Sequence, residues 1–261
     1  MEPVLYLTNR RIDLWLAFLD DIRDEHLLRN YRGILTPEEL TRGARFRFAK
    51  DQHRYLVTRA LARCTLSRYA RVRAEEWRFA ADTHGRPGIL GGDEDTLSLS
   101  FNISHTDSLV AIVVTRQQAV GVDIEDLNRK HIELSTADAY FSAAEVSELY
   151  AAPEWVRPTR FLEYWTLKES YIKARGLGLA IPLDQFSLSL ARSGKIRMAT
   201  EPALADRAER WALWQFRPSA DHVGALCAEL PIGNKQTVLV RRVVPMYAEE
   251  IVDCEISRTS A

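Results

Sequence analysis

The chain has 261 residues, enough for one large domain or two small ones, and its 46% hydrophobic and 27% charged content is that of a globular protein with a substantial core. No apolar run is long enough to span a membrane, and the opening Met1-Glu2-Pro3-Val4 lacks the basic-then-apolar order of a signal peptide. The net charge of -1 conceals an asymmetry: from Thr41 to Arg73 ten Lys or Arg stand against Asp51 alone, which reads either as a site for an anionic ligand or partner or as a solvated basic helix.

In chain order, Ile12 to Leu19 is expected as a strand. Thr36-Pro37-Glu38-Glu39 is a helix start, with Thr as N-cap, Pro at the first helical position and Glu three residues after the cap. The helical pattern continues, with a break, to about Tyr69. Trp77 to Ala81 is a short strand, Gly85-Arg86-Pro87-Gly88 a turn that leaves Arg86 extended, and Gly91-Gly92-Asp93 a second turn. Leu97 to Asn102 and Leu109 to Thr115 form a strand pair around Ser104-His105-Thr106-Asp107. Thr115 to Gln118 is a joint between halves. Val120 to Ile124 is a strand, Ser142-Ala143-Ala144-Glu145 opens a helix to about Tyr150, and a long helix from about Thr159 to Arg175 closes at Gly176 and Gly178. Strands at Phe186–Leu190, Trp211–Phe216, Val223–Leu230 and Thr237–Val244 complete the chain. The expected fold class is α+β, two similar halves over residues 1–116 and 117–261, each a small antiparallel sheet with helices. The cysteines, Cys64, Cys227 and Cys254, are odd in number and without CxxC spacing, so neither a zinc site nor a disulfide framework is expected, and a cytoplasmic location is.

The chemistry concentrates in two segments. Asp123 and Glu125, two apart on a strand, share one face. Glu169 and Lys173, four apart on a helix, share another. Three hard oxygen ligands with a lysine beside them are what a Mg²⁺-assisted phosphate reaction requires, because Mg²⁺ takes a few carboxylates and keeps positions for phosphate oxygens and water. Each piece also has a plainer reading: a solvent-facing strand end for Asp123 and Glu125, a surface ion pair for Glu169 and Lys173. Asn102-Ile103-Ser104-His105 offers a hydroxyl and an imidazole to an anion, or is a hairpin turn. Arg86 is a phosphate contact or an exposed turn arginine.

Taken in order, Gly85-Arg86-Pro87, Phe101-Asn102-Ile103-Ser104-His105, Gly121-Val122-Asp123-Ile124-Glu125, Phe141-Ser142 with Glu145, and Trp165 to Gly176 carry a resemblance to the Sfp-like class of 4'-phosphopantetheinyl transferases. Leu177-Gly178-Leu179 to Phe186 continues it, and Arg45-Phe46 to Asp51-Gln52-His53-Arg54 matches the family's first-half helix. Arg86 stands where the family often has Lys.

The resemblance implies a monomer of two halves with coenzyme A between them. It implies transfer of the 4'-phosphopantetheine arm from coenzyme A to a serine of an apo acyl or peptidyl carrier protein, releasing 3',5'-adenosine bisphosphate. By matching position, Asp123, Glu125 and Glu169 would hold Mg²⁺, with Mn²⁺ as a substitute. Lys173 would reach the pyrophosphate, and Glu169, or a water it holds, would take the serine proton. Arg42, Arg45, Arg86, Pro87, Ser104, His105 and Lys168 would contact coenzyme A. Apolar residues between Tyr140 and Trp165, among them Phe141, Leu149 and Trp155, would form the carrier surface or else pack in the core. Neither nucleic acid nor membrane is an expected partner. Two alternatives share these residues: a Mg²⁺-dependent nucleotide pyrophosphatase, separated by label transfer to a carrier serine, and a non-catalytic carrier-binding relative. A nucleic-acid binder would rest on the arginine-rich helix alone, and it predicts a steep salt dependence.

Overall fold

The computed structural model describes residues 4–83, 85–129, 131–178, 181–191, 193–230 and 236–260. Met1 to Pro3 and Leu179, named above, lie outside the described residues. The chain divides into two compact units. The first comprises Met1–Asp82, Pro87–Gln117 and Thr237–Asp253, and the second Thr83–Arg86, Gln118–Gln236 and Cys254–Ala261. Both mix helices with sheet, as an α+β reading expects.

In the first unit β1 (Arg11–Phe18) lies inside a five-stranded sheet of order β12-β11-β1-β5-β4, with β4 at Leu99–His105, β5 at Leu109–Arg116, β11 at Thr237–Val244 and β12 at Ala248–Ile251. Residues 12–17 are all buried, Asp13 among them, and only Arg11 and Phe18 at the strand ends are partly exposed, which suits a strand paired on both sides. Its pairing with β5 is antiparallel, but with β11 it is parallel, Arg11 opposite Thr237. The strand Thr237–Val244, expected in the second half, therefore belongs to the first unit. A parallel pairing between distant segments leaves no turn residue to announce it.

Three helices accompany this sheet: α1 (Glu25–Ile34), α2 (Pro37–Ala44) and α3 (Ala49–Leu66). The capping box forms at the start of α2, Thr36 Oγ1 accepting from the Glu39 amide and Glu39 Oε2 from the Thr36 amide at 3.0 Å. Glu39 also accepts from Arg59 and from the buried Arg63 (2.7 Å), tying α2 to α3. Arg63 goes on to donate to the carbonyls of Ala74 and Trp77. Part of the basic stretch is thus structural. Between these helices and the next sheet strand run the hairpin arms β2 (Phe79–Ala81) and β3 (Pro87–Ile89) and the short helix α4 (Glu94–Leu97), capped by Asp93.

The second unit is built on a four-stranded sheet of order β13-β9-β10-β6, with β6 at Val120–Asp126, β9 at Trp211–Ser219, β10 at His222–Glu229 and β13 at Glu255–Thr259. Two short helices, α5 (Thr136–Tyr140) and α6 (Ala143–Ala151), precede α7 (Arg157–Arg175), and a hairpin β7–β8 (Phe186–Leu190, Ile196–Thr200) follows it. Ser142 caps α6 with the expected reciprocal bond to Glu145. Gly176 closes α7 at φ +69, where a residue with a Cβ is strained.

The contact that positions the site is made at Gly121. A Cβ there would lie 2.1 Å from the Ser170 carbonyl oxygen and 2.4 Å from the Ala174 nitrogen of α7. The helix backbone therefore rests directly on β6, one residue pair from Asp123. Gly121→Ala is expected to destabilise by about 3 kcal/mol, the upper end of overpacking costs, because backbone atoms cannot rotate aside. Chemical denaturation measures it; an unchanged midpoint would mean that α7 slides freely.

Candidate active site

Asp123 and Glu125 project from the face of β6 that meets α7, opposite Ala225 and Val223 of β10. Both neighbours belong to the apolar cluster that α7 covers. Val120, Val122 and Ile124 alternate onto the other face and are buried. The register places two carboxylates beside a helix, and α7 answers with Glu169 and Lys173 one turn apart. Lys173 Nζ donates to Asp123 Oδ1 at 2.6 Å. Arg129, four residues past Glu125, reaches its Oε2 at 3.4 Å.

The electrostatics tie the three carboxylates into one group. Burial and then the Asp123 charge push Glu125 up to about 7, against the pull of Arg129 and Lys173, with Glu169 adding to the rise. Burial and then Asp123 likewise raise Glu169, while Lys173 lowers it. Three half-buried or buried acids that repel one another, offset by Lys173 and Arg129, make a place where added positive charge is favoured. All the donors are carboxylate oxygens, the type that Mg²⁺ takes. Among the described residues, no three His, Cys, Asp or Glu side chains stand close enough together to grip a metal ion as they are. The fit to a cation therefore rests on donor chemistry and charge, with Lys173 seated on Asp123.

Other expected site residues fall differently. Lys168, expected to contact coenzyme A, is fully buried. Its ammonium donates to the carbonyls of Leu183 (2.7 Å) and Phe186 (2.9 Å) and pairs with Glu145 Oε2 at 2.8 Å. A lysine with three donors has spent all of them, so this assignment is corrected: Lys168 is an internal clasp. Burial lowers its pKa, and Glu145 opposes that shift. Arg86 is not extended. It donates to the carbonyls of Ala174 (3.3 Å) and Val120 (3.2 Å), bracing the end of α7 against the start of β6. A Cβ on Gly176 would meet its Nη1 at 2.9 Å.

Arg42, Arg45, Pro87, Ser104 and His105 lie in the first unit. Arg42 and Arg45 are exposed at the end of α2. Ser104 is buried and His105 exposed in the last two positions of β4. Two residues on, Asp107 accepts from Lys50 (2.7 Å) and Arg54, so the start of α3 is held beside the strand end that carries His105. Phe141 and Leu149 pack in the core, whereas Trp155 is 83% exposed. The reading of the residues missed Arg129, whose only signal was its distance along the chain from Glu125. It also missed the contact made through Gly121, which a glycine at the start of a strand does not announce.

The comparison with known families decides between the readings of this geometry. Residues 119–227 match the 4'-phosphopantetheinyl transferase superfamily, and residues 24–117 match the 4'-phosphopantetheinyl transferase N-terminal family. The chain is 31% identical over 224 residues to the 4'-phosphopantetheinyl transferase HetI of Nostoc sp., covering 86% of this chain and 90% of that one. The chain belongs to the 4'-phosphopantetheinyl transferases. It is also 34% identical over 166 residues to the transferase Sfp of Bacillus subtilis, covering 64% of this chain and 71% of Sfp. The superfamily match spans the strand with Asp123 and Glu125 and the helix with Glu169 and Lys173, so the transferase's acidic cluster lies wholly within it. Among the described residues, no helix of the transferase is long and apolar enough to cross a membrane.

Proposed function

We propose that this transferase moves the 4'-phosphopantetheine arm of coenzyme A onto a serine hydroxyl of an apo acyl or peptidyl carrier protein, with Mg²⁺, releasing 3',5'-adenosine bisphosphate. The observation that carries this reading is the coupled cluster of Asp123, Glu125 and Glu169 beside Lys173, inside the region that matches the transferase superfamily.

Asp123, Glu125 and Glu169 would hold the Mg²⁺. When bound, it supplies charge neutralisation for the pyrophosphate. The serine oxygen attacks the phosphorus that bears the pantetheine arm, and the bond from that phosphorus to the bridging oxygen breaks. The bridging oxygen leaves with the electron pair on the adenosine bisphosphate. The serine proton passes to Glu169 or to a water that Glu169 holds. Burial and the neighbouring acid raise Glu169 when no cation is beside it, and a bound cation would lower it again, which is why a water held by Glu169 shares the role. Lys173, already within reach of the cluster, would exchange Asp123 for a pyrophosphate oxygen and so follow the charge as it moves.

Arg42, Arg45, Pro87, Ser104 and His105 are assigned to the nucleotide and its phosphates. Arg86 is assigned to the same phosphates by its place in the family pattern. His105→Ala is expected to weaken coenzyme A binding by about tenfold or more, the loss of one charge-assisted hydrogen bond. Its exposed position predicts an unchanged melting temperature. Calorimetry with an unchanged affinity would make His105 a strand end and nothing else. Trp155, with the half-exposed Tyr140 and Tyr150, offers the carrier an apolar surface on the second unit.

Intact-protein mass spectrometry of several apo carrier proteins, incubated with the transferase, coenzyme A and Mg²⁺, tests the whole reading. The expected result is a mass gain of one phosphopantetheine arm that EDTA abolishes. No gain on carriers of fatty acid, polyketide, nonribosomal peptide and lysine-type pathways would overturn it.

A further inference from the structure

Glu125 stands one residue from the end of β6, and β6 is an edge strand whose neighbour in the sheet is β10. The pairing closes with Glu125 opposite Val223 and Asp126 opposite His222. Segment ends open at little cost in free energy. A metal ligand placed there needs something beyond the ladder to hold it.

The turn that leaves β6 supplies it. The Arg129 amide donates to the Asp126 carbonyl at 3.3 Å, and the Asn128 amide donates to Asp126 Oδ1 at 2.8 Å. An aspartate at the first position of a β-turn makes this second bond to the backbone two residues on. The turn joining β9 to β10 clasps the loop from the side. The Leu127 amide donates to the Asp221 carbonyl at 2.8 Å, and Asn128 Nδ2 donates to Asp221 Oδ1, also at 2.8 Å. The clasp is itself braced: the Asp221 amide donates to Ser219 Oγ at 3.2 Å, and Ser219 Oγ shares a hydrogen bond of 2.8 Å with Nδ1 of the buried His222. All these residues belong to the second unit.

A turn fixed in this way brings Arg129 back to the strand it has left, where its guanidinium meets Glu125 Oε2 at 3.4 Å. An exposed ion pair of this kind contributes little stability by itself. Its effect here is on direction. Glu125 is set through its backbone by the clasp on Leu127 and Asn128, and through its carboxylate by Arg129. Outer groups that orient a ligating side chain change metal affinity by about 10–100-fold when they are removed.

We propose that Asn128 and Asp221 are positioning residues for Glu125. The bond between their side chains locks the turn after β6 and so sets the carboxylate that the divalent cation takes. Neither residue touches the cation or a substrate. Their role rests on Asp123, Glu125 and Glu169 being the metal's ligands, as proposed above.

The probe is Mn²⁺, titrated by electron paramagnetic resonance into the full chain with saturating coenzyme A and no carrier protein, so that binding is read without turnover. The wild type is expected to bind the ion saturably. Asn128→Ala changes no charge and lies on an exposed turn. It is expected to weaken Mn²⁺ binding by about tenfold or more with the melting temperature unchanged. Asp221→Asn removes a charge but keeps the oxygen that accepts from Asn128, and it is expected to bind Mn²⁺ as the wild type does. Unaltered Mn²⁺ affinity in Asn128→Ala, with or without a lower melting temperature, would overturn the positioning role and leave the metal reading intact. A loss in Asp221→Asn as large as that in Asn128→Ala would trace the effect to charge instead of position and overturn it too. No Mn²⁺ binding by the wild type would overturn the metal reading, and the positioning role with it.

Discussion

Asp123→Asn is expected to lower kcat/KM for arm transfer by at least about a thousandfold, the scale on which single electrostatic groups at a reacting phosphate act. The substitution keeps the volume of the side chain and leaves an oxygen to accept from Lys173, so the fold should survive. What it removes is the charge at the centre of the cluster, since Asp123 is a cause of the raised pKa of both Glu125 and Glu169. Without it burial still holds the two acids up, the repulsion within the cluster is reduced, and the demand for a divalent cation falls. Steady-state rates over a Mg²⁺ titration would check this. Near-normal turnover at the wild-type Mg²⁺ requirement would remove the metal role from β6.

Lys168→Ala is expected to cost about 3–5 kcal/mol, the penalty for leaving one member of a buried ion pair alone. For a chain of this size that amounts to a drop of roughly 10 °C in melting temperature. Glu145 would remain buried with its Oε1 on the Leu188 amide (2.8 Å) and its other oxygen without the ammonium. The carbonyls of Leu183 and Phe186 would lose a donor, and the Phe186 ring the cation 4.1 Å from its centroid. Pairing Lys168→Met with Glu145→Gln should recover part of the loss, because no charge is then stranded. A stable Lys168→Ala protein with weakened coenzyme A binding would instead return Lys168 to the ligand.

The sequence made local features legible and distant ones opaque. Thr36 and Ser142 announce their helices because a capping box is written within four residues, and Gly176 announces its end for the same reason. The period of two in Val120 to Ile124 puts Asp123 and Glu125 on one face, and the spacing of four puts Glu169 over Lys173. That these two faces meet was legible only through the family resemblance, since the meeting depends on the missing Cβ of Gly121. Lys168 was misassigned for a related reason. Its neighbours in the motif, Glu169 and Lys173, line the site, but one position along a helix turns the side chain by about 100°, here into the core beside Glu145. The basic stretch from Thr41 to Arg73 read as a single cationic surface, yet Glu39, Asp107 and Glu249, from outside it, claim several of its arginines.

The strand β11 has a consequence for how the protein is made. β1 leaves the ribosome early, but one of its two neighbours is drawn from Thr237–Val244, near the end of the chain. Until that segment emerges, β1 has an open edge that other chains can pair with. Most of the second unit, by contrast, is the continuous run Gln118–Gln236. The later part of the chain can thus condense first, and the earlier part must wait for its own closing strand. Released chains truncated just before Thr237 are expected to leave the first unit open to protease, while the second, lacking only its edge strand β13, resists it better.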